Sequence, residues 1–157
     1  MPLKKIIKNK LYFAVAKYFL FFASIRLRKW NPRVVVVTGS NGKTTTVEMI
    51  KAQLGDKIKF SDEANSTYGI PFDILGLRKN NYNLWQWIGT FLLAPSRIFT
   101  RPFSEKIYLV EADCDRPGEG YYLSRLLNPE LTVWLSSDRT HSQNYDKKVN
   151  DGEFPDV

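Results

Sequence analysis

The chain has 157 residues, of which 43% are hydrophobic and 25% are charged, a composition typical of one soluble globular domain. A single cysteine and a single histidine exclude an internal disulfide framework and a zinc site of the usual kind, and suit a reducing cytoplasm. The net charge is +7, but residues 1–33 carry nine basic and no acidic side chains, while the remainder carries 14 basic and 16 acidic ones. The basic surface therefore belongs to an N-terminal arm, which argues against nucleic acid as a partner.

The arm, residues 1–30, combines this charge with an apolar centre. Leu11–Ile25 is nearly all apolar and is interrupted by Lys17; as a helix it would rise about 22 Å, short of the roughly 30 Å of a bilayer core. A signal peptide would end in small residues, whereas Arg26–Trp30 is basic. Two interpretations remain open: a helix packed on the domain or on a missing neighbour, and a helix lying at the inner membrane surface. A membrane-spanning helix is a third choice.

A strand and a glycine-containing loop follow the arm. Val34–Val37 predicts a buried strand that ends near Thr38, and Lys43–Leu54 predicts a helix. Gly39 and Gly42 lie between them and permit close approach of a polyphosphate to the backbone, next to the positive end of the helix. Lys43 would neutralise phosphate charge and the hydroxyl group of Thr44 would hold Mg²⁺. The alternative is a strand–turn–helix corner that binds nothing. The loop predicts ATP and Mg²⁺ as cofactors, bound through Gly39, Ser40, Asn41, Gly42, Lys43, Thr44 and Thr45.

Further strands and helices alternate after this loop. This pattern predicts βαβ units and an α/β fold, with a parallel sheet flanked by helices as in P-loop NTPases. The predicted strands are Lys57–Phe60, Lys106–Ala112 and Leu131–Leu135, the last two of them buried, and the predicted helices are Pro71–Leu77 and Pro117–Leu127. The domain is predicted over residues 31–146 and a tail without periodicity over 147–157.

Residues 78–105 are predicted to be an insertion. Leu84–Phe99 is an aromatic-rich helical stretch, and Pro95 predicts a break or kink within it. A helical flap that covers apolar surface is the preferred interpretation, and a membrane contact is the alternative.

Glu111 is the strongest acidic candidate for the site. It lies at the carboxyl end of a predicted parallel strand, which is where open α/β sheets bind ligands. Its carboxylate could bind Mg²⁺ directly.

The loop sequence, Thr38 to Thr46, resembles the ATP loop of the Mur ligase family, with Val37 in place of the first glycine of the general Walker pattern. These enzymes use ATP to join an amino acid or peptide to a carboxylate during peptidoglycan synthesis. The segment Glu63–Leu77, with its Gly-Ile-Pro, resembles the branch that adds D-alanyl-D-alanine. In that branch the segment faces the phosphates and the muramoyl substrate, which implies substrate contacts by Asn65, Ser66 and Thr67.

The segment Val110–Glu119 is similar to the family's Glu-x-Gly…Arg-Pro-Gly segment, with Asp113 in place of the glycine. The resemblance implies that Glu111 binds the metal. Asp113 and Asp115 either assist or are solvated loop residues, and solvation is favoured for Asp115. The family also has a metal-binding histidine after the following strand, which implies that role for His141. The implied catalytic residues are Lys43, Glu111 and His141, and the implied metal ligands are Thr44, Glu111 and His141.

The resemblance further implies activation of a carboxylate, such as that of a UDP-muramoyl peptide, as an acyl phosphate, and its attack by an amino acid or dipeptide. Complete ligases have three domains, and the sugar-nucleotide domain and C-terminal domain have no counterpart here. We therefore expect a truncated ligase domain, or one that needs a partner chain. A non-catalytic or regulatory ATP-binding module and a peripheral membrane protein are the alternatives, and the expected location is the cytoplasm, including the inner membrane surface.

Overall fold

The computed structural model describes residues 3–61, 64–77, 84–114 and 116–137. Its centre is a sheet of four parallel strands. The strands are β1 (Arg33–Thr38), β2 (Ile58–Phe60), β3 (Ile107–Glu111) and β4 (Leu131–Trp134), in the order β2-β3-β1-β4. Because all four strands run in the same direction, their carboxyl ends lie along one edge of the sheet. The predicted α/β fold is confirmed.

The crossover helices begin and end close to their predicted positions. The helix after the glycine loop, α2, is Lys43–Leu54 as predicted, and one turn of 3-10 helix, Gly55–Lys57, leads from it into β2. Helix α3 is Gly69–Leu75, two residues earlier at each end than predicted, because Gly76 adopts a left-handed conformation that ends it. Helix α5 is Glu119–Leu127.

The two central strands separate two hydrophobic clusters. On one face of the sheet, Val37 and Leu109 pack with Val47 of α2. On the other face, Val36 and Val110 belong to a larger cluster that includes residues of α3 and α5. This three-layer arrangement explains why the central strands are nearly continuous runs of apolar residues.

The sequence predicts a buried strand over Leu131–Leu135. The strand is present, but the prediction that it is buried is wrong. β4 does pair with β1, but Leu131 is 55% and Trp134 is 70% exposed. The physical reason is its place at the end of the sheet, where, within the residues that the structure describes, no further strand pairs with its outer edge.

The arm is a helix, α1 (Leu3–Trp30), that packs on the domain. Its buried side chains recur every three or four residues and join the larger cluster, so they form one helical stripe. These residues are Phe19, Ala23, Leu27 and Trp30. The interpretation of the arm as a packed helix is thus confirmed. In the described part of the chain, no helix has the length and apolar character needed to cross a membrane.

The predicted flap is helix α4 (Leu84–Arg97), which covers the apolar side of α1. The ring centroids of Phe91 and Phe19 are 5.0 Å apart. The predicted break at Pro95 does not end the helix, which continues to Arg97. Proline removes the amide that would bond to the carbonyl group of Phe91, and the hydroxyl group of Tyr18 donates to that oxygen instead, at 2.7 Å. Residues 78–83 and the predicted tail lie outside the described residues.

Candidate nucleotide-binding site

The loop between β1 and α2 has the backbone conformation that its glycines permit. Gly39 and Gly42 have φ angles of +129° and +83°, which side chains with a Cβ rarely adopt. A Cβ on Gly39 would also lie only 2.9 Å from the backbone nitrogen of Ser136. Residue 39 must therefore be glycine, both because of its positive φ angle and because a Cβ atom would collide with Ser136.

Ser136, which follows β4, fixes the outer part of this loop. Its carbonyl oxygen accepts from the amide of Ser40 and its hydroxyl oxygen from the amide of Asn41, both at 3.0 Å. Sequence reasoning missed Ser136. The only available signal was its position as the first polar residue after the predicted strand.

Lys43 is buried beneath the loop, with 7% of its surface exposed. Its ammonium group donates to the carbonyl oxygen of Gly39 at 2.6 Å and forms an ion pair with Asp113 at 2.9 Å. The side chain thus lies inside the turn that it was predicted to serve, with a carboxylate as its present counter-ion.

Asp113 is itself held in place by Asn65. The Asn65 side-chain amide donates to Oδ2 of Asp113 at 2.9 Å, and the Asp113 backbone amide donates to the Asn65 carbonyl oxygen at 2.8 Å. Asp113 is thus an ion-paired, partly buried side chain rather than a solvated loop residue, and its part in the function stays a prediction. Asp115 lies outside the described residues.

Thr44 and Glu111 meet at the carboxyl edge of the sheet. Glu111 is in register with Val37 of the neighbouring strand, so β1 and β3 end within one residue of each other. The Thr44 hydroxyl group donates to Oε1 of Glu111 at 3.2 Å. The buried hydroxyl group of Ser61, which the sequence did not indicate, accepts from the Glu111 amide at 3.2 Å.

The other predicted substrate residues are placed differently from Asn65. The hydroxyl oxygen of Ser66 accepts from the amide of Gly69 at the start of α3, at 3.1 Å. Thr67 is fully buried, so in this conformation its side chain is not accessible to a substrate. Their role as substrate ligands stays a prediction.

Two tyrosines, Tyr12 of α1 and Tyr68 just before α3, pack against each other next to this segment. Burial raises the pKa of Tyr68 to about 12. Burial also raises the pKa of Tyr12, with a further contribution from Glu119, whose carboxylate accepts from the Tyr12 hydroxyl group at 2.8 Å. Both hydroxyl groups are therefore neutral at physiological pH and serve as donors that join α1 to the domain.

The residues brought together fit a nucleotide with its magnesium ion. The Thr44 hydroxyl and Glu111 carboxylate are oxygen donors of the kind that Mg²⁺ prefers, and Mg²⁺ usually keeps several water ligands as well. No group of three or more His, Cys, Asp or Glu side chains suited to a metal occurs among the described residues. His141 lies outside them, so its predicted metal role is not tested by the structure.

Comparisons with known proteins agree with this architecture. Residues 37–150 match the family described as the Mur ligase middle domain. A UDP-N-acetylmuramoyl-tripeptide–D-alanyl-D-alanine ligase of Bacillus subtilis is 31% identical over 124 residues, covering 77% of this chain and 22% of the relative. The ligase of the same name from Borreliella burgdorferi is 28% identical over 132 residues, covering 82% of this chain and 23% of the relative. No solved structure matches.

The chain thus spans less than a quarter of the length of these relatives. The family match nevertheless covers more than half of the chain and includes the glycine loop from Gly39, the strand that ends at Glu111, and His141. This chain belongs to the Mur ligase family, through the family's middle domain.

Proposed function

We propose that this chain is the ATP-binding part of an acid–amino acid ligase that acts in peptidoglycan precursor synthesis. The observation that carries the proposal is the meeting of Lys43, Thr44 and Glu111 at the carboxyl edge of a parallel sheet, beside a loop with two glycines at positive φ. This is the edge at which open α/β sheets bind their ligands.

The phosphates of ATP bind to the loop and to the first turn of α2. Amide groups in the first turn of a helix have no acceptor within the helix and point outward along its axis, where the helix dipole also favours an anion. Lys43 leaves Asp113 for the phosphate oxygens, because three charged oxygens on a phosphoryl group offer more acceptors than one carboxylate. Asp113 therefore acts as the counter-ion that keeps Lys43 in place before the nucleotide arrives.

Thr44 and Glu111 would hold a magnesium ion, with His141 as the third proposed ligand through a neutral ring nitrogen. Such an ion would supply positive charge against the phosphates. Glu111 would then exchange its hydrogen bond from Thr44 for the metal.

The proposed reaction has two steps. A carboxylate oxygen of the acceptor attacks the γ-phosphorus and the bond to the β-phosphate oxygen breaks, which gives an acyl phosphate and ADP. The amine of the second substrate then attacks the acyl carbon, phosphate leaves and the amine loses a proton, which gives the amide. Lys43 stabilises the charge on the transferring group in the first step.

The relatives' names suggest the substrates, a UDP-N-acetylmuramoyl-tripeptide and D-alanyl-D-alanine. Asn65 is proposed at the substrate side of the site because it adjoins Asp113. Further groups that bind the two substrates would come from outside the matched residues 37–150, for example from a partner chain.

The experiment is phosphate release by the purified chain with ATP, Mg²⁺, the muramoyl tripeptide and D-alanyl-D-alanine. A ligase releases phosphate only when both substrates are present, and Glu111→Gln lowers this rate by about 100-fold or more, as loss of a metal ligand does. Glu48→Gln is the matched control, since Glu48 lies on the exposed side of α2 and forms an ion pair with Lys51 of the same helix. ATP binding with no substrate-dependent release, even after addition of a partner chain that supplies the remaining substrate-binding groups, would identify a non-catalytic nucleotide-binding module instead.

A further inference from the structure

Helix α4 has two apolar stripes, and within the part of the chain that the structure describes only one of them packs on the protein. Trp87, Phe91 and Ala94 face the core. The opposite stripe follows the same helical spacing and continues into the turn after the helix. We call it the outer ridge; its members are Trp85 (77% exposed), Ile88 (42%), Leu92 (74%), Leu93 (48%) and Phe99 (80%). A helix that is apolar on both sides normally has a partner on each side.

The turn at the end of the ridge is held rigidly. The buried guanidinium group of Arg26, on α1, donates to the carbonyl oxygens of Arg97 and Arg101 and to the Thr100 hydroxyl group. Phe99 lies inside this turn, so its backbone is held in place while its ring is 80% exposed. Because the backbone is already held, binding through Phe99 has little backbone entropy to lose.

Positive charge lies at the Phe99 end of the ridge. The ammonium group of Lys29 lies 5.6 Å from the centroid of the Phe99 ring and donates to the carbonyl oxygen of Ile98 at 3.0 Å. Neither α1 nor α4 contains an acidic residue, and residues 98–104 contain none either. Near Phe99 the exposed cations include Lys29, which contacts its ring, and Arg101, two residues along the chain; Lys17 and Arg28 are further exposed cations of α1.

We propose that the outer ridge is a docking surface for an anionic lipid bilayer, with α4 lying in the plane of the headgroups. Exposed large apolar side chains flanked by cations, with no acid among them, are the chemistry of an interfacial helix. A tryptophan at one end and a phenylalanine beside a lysine at the other suit the boundary between headgroups and acyl chains. Exposed apolar side chains with a lysine at one end, on two helices that contain no acidic residue, fit an anionic surface.

The test is sedimentation of the chain with vesicles of equal parts phosphatidylcholine and phosphatidylglycerol, and with vesicles of phosphatidylcholine alone. The chain should bind the anionic vesicles more tightly, and added salt should weaken that binding. Leu92→Ser and Trp85→Ser should each weaken partitioning about tenfold, since each removes one large side chain from the apolar phase.

Trp134→Ser is the matched control for Trp85→Ser. Trp134 is 70% exposed on β4, away from the ridge, so its replacement should leave vesicle binding unchanged. Circular dichroism checks that the variants are folded. We expect them to be, because the side chains of Trp85 and Trp134 are exposed. The tryptophan emission should also shift to the blue on binding, and Trp85→Phe should remove most of that shift.

Three outcomes would overturn the proposal. One is absence of binding to anionic vesicles by the folded chain. Another is binding that Trp85→Ser and Trp134→Ser weaken equally, because the ridge would then have no special role. The third is self-association of the chain in solution that Leu92→Ser abolishes, which would make the ridge an interface between copies.

Discussion

Asp113→Asn should tighten the binding of ATP. The carboxylate lies 2.9 Å from the Lys43 ammonium group, and the two side chains are 25% and 8% exposed. The pair thus lies between exposed ion pairs, which contribute up to about 1 kcal/mol, and buried ones, whose disruption costs about 3–5 kcal/mol. If the nucleotide must supply about 1.4 kcal/mol to take Lys43 from this partner, the neutral variant should bind about tenfold more tightly. Asparagine keeps an oxygen that can accept from Asn65, so the local hydrogen bond is retained.

The assay is calorimetric titration with ATP, once with Mg²⁺ and once with a chelator. Asp56→Asn is the control, since it makes the same change in net charge in the exposed turn at the far end of α2 and should leave the affinity within about twofold. Weaker binding of Asp113→Asn, confined to the titration with Mg²⁺, would refute the reasoning. It would mean that Asp113 serves the metal ion rather than restraining Lys43.

Three further changes test other parts of the structure. Asp73→Ala should destabilise the fold by about 3 kcal/mol in urea titration, because it leaves the largely buried Lys59 ammonium group without its carboxylate; equal stability would contradict this. Phe19→Ala should cost about 3–5 kcal/mol in the same titration, since this side chain of α1 is fully buried, and a much smaller loss would mean that α1 is not part of the core. Gly39→Ala should abolish ATP binding in calorimetry through the clash of its Cβ with Ser136; retained affinity would show that the loop can change shape.

The central strands and α2 could be predicted closely because their signals are local. Val34–Val37 and the residues before Glu111 are short apolar runs typical of a buried strand, and the glycine loop marks the start of α2. The same type of signal, an apolar run, did not predict correctly whether β4 is buried. An apolar run indicates a strand but does not say whether its outer edge finds a partner.

Contacts between distant residues could not be predicted from the sequence. The pairing of Lys43 with Asp113 depends on the parallel register of β1 and β3, which brings together residues that are far apart along the chain. Helix α4 continues past Pro95 because Tyr18, on another helix, donates to the carbonyl oxygen that the proline leaves without its usual donor. Local propensity contains no information about such a donor.

Calorimetric titration of the purified chain with Mg-ATP, compared with Lys43→Ala, tests the central claim most directly. The proposed site predicts saturable binding of one nucleotide per chain and a loss of at least about 100-fold in affinity for the variant, since a charge-assisted contact to phosphate disappears. Lys51→Ala, on the same helix but paired with Glu48, should bind as the unaltered chain does. Equal affinity of the unaltered chain and Lys43→Ala would contradict the account.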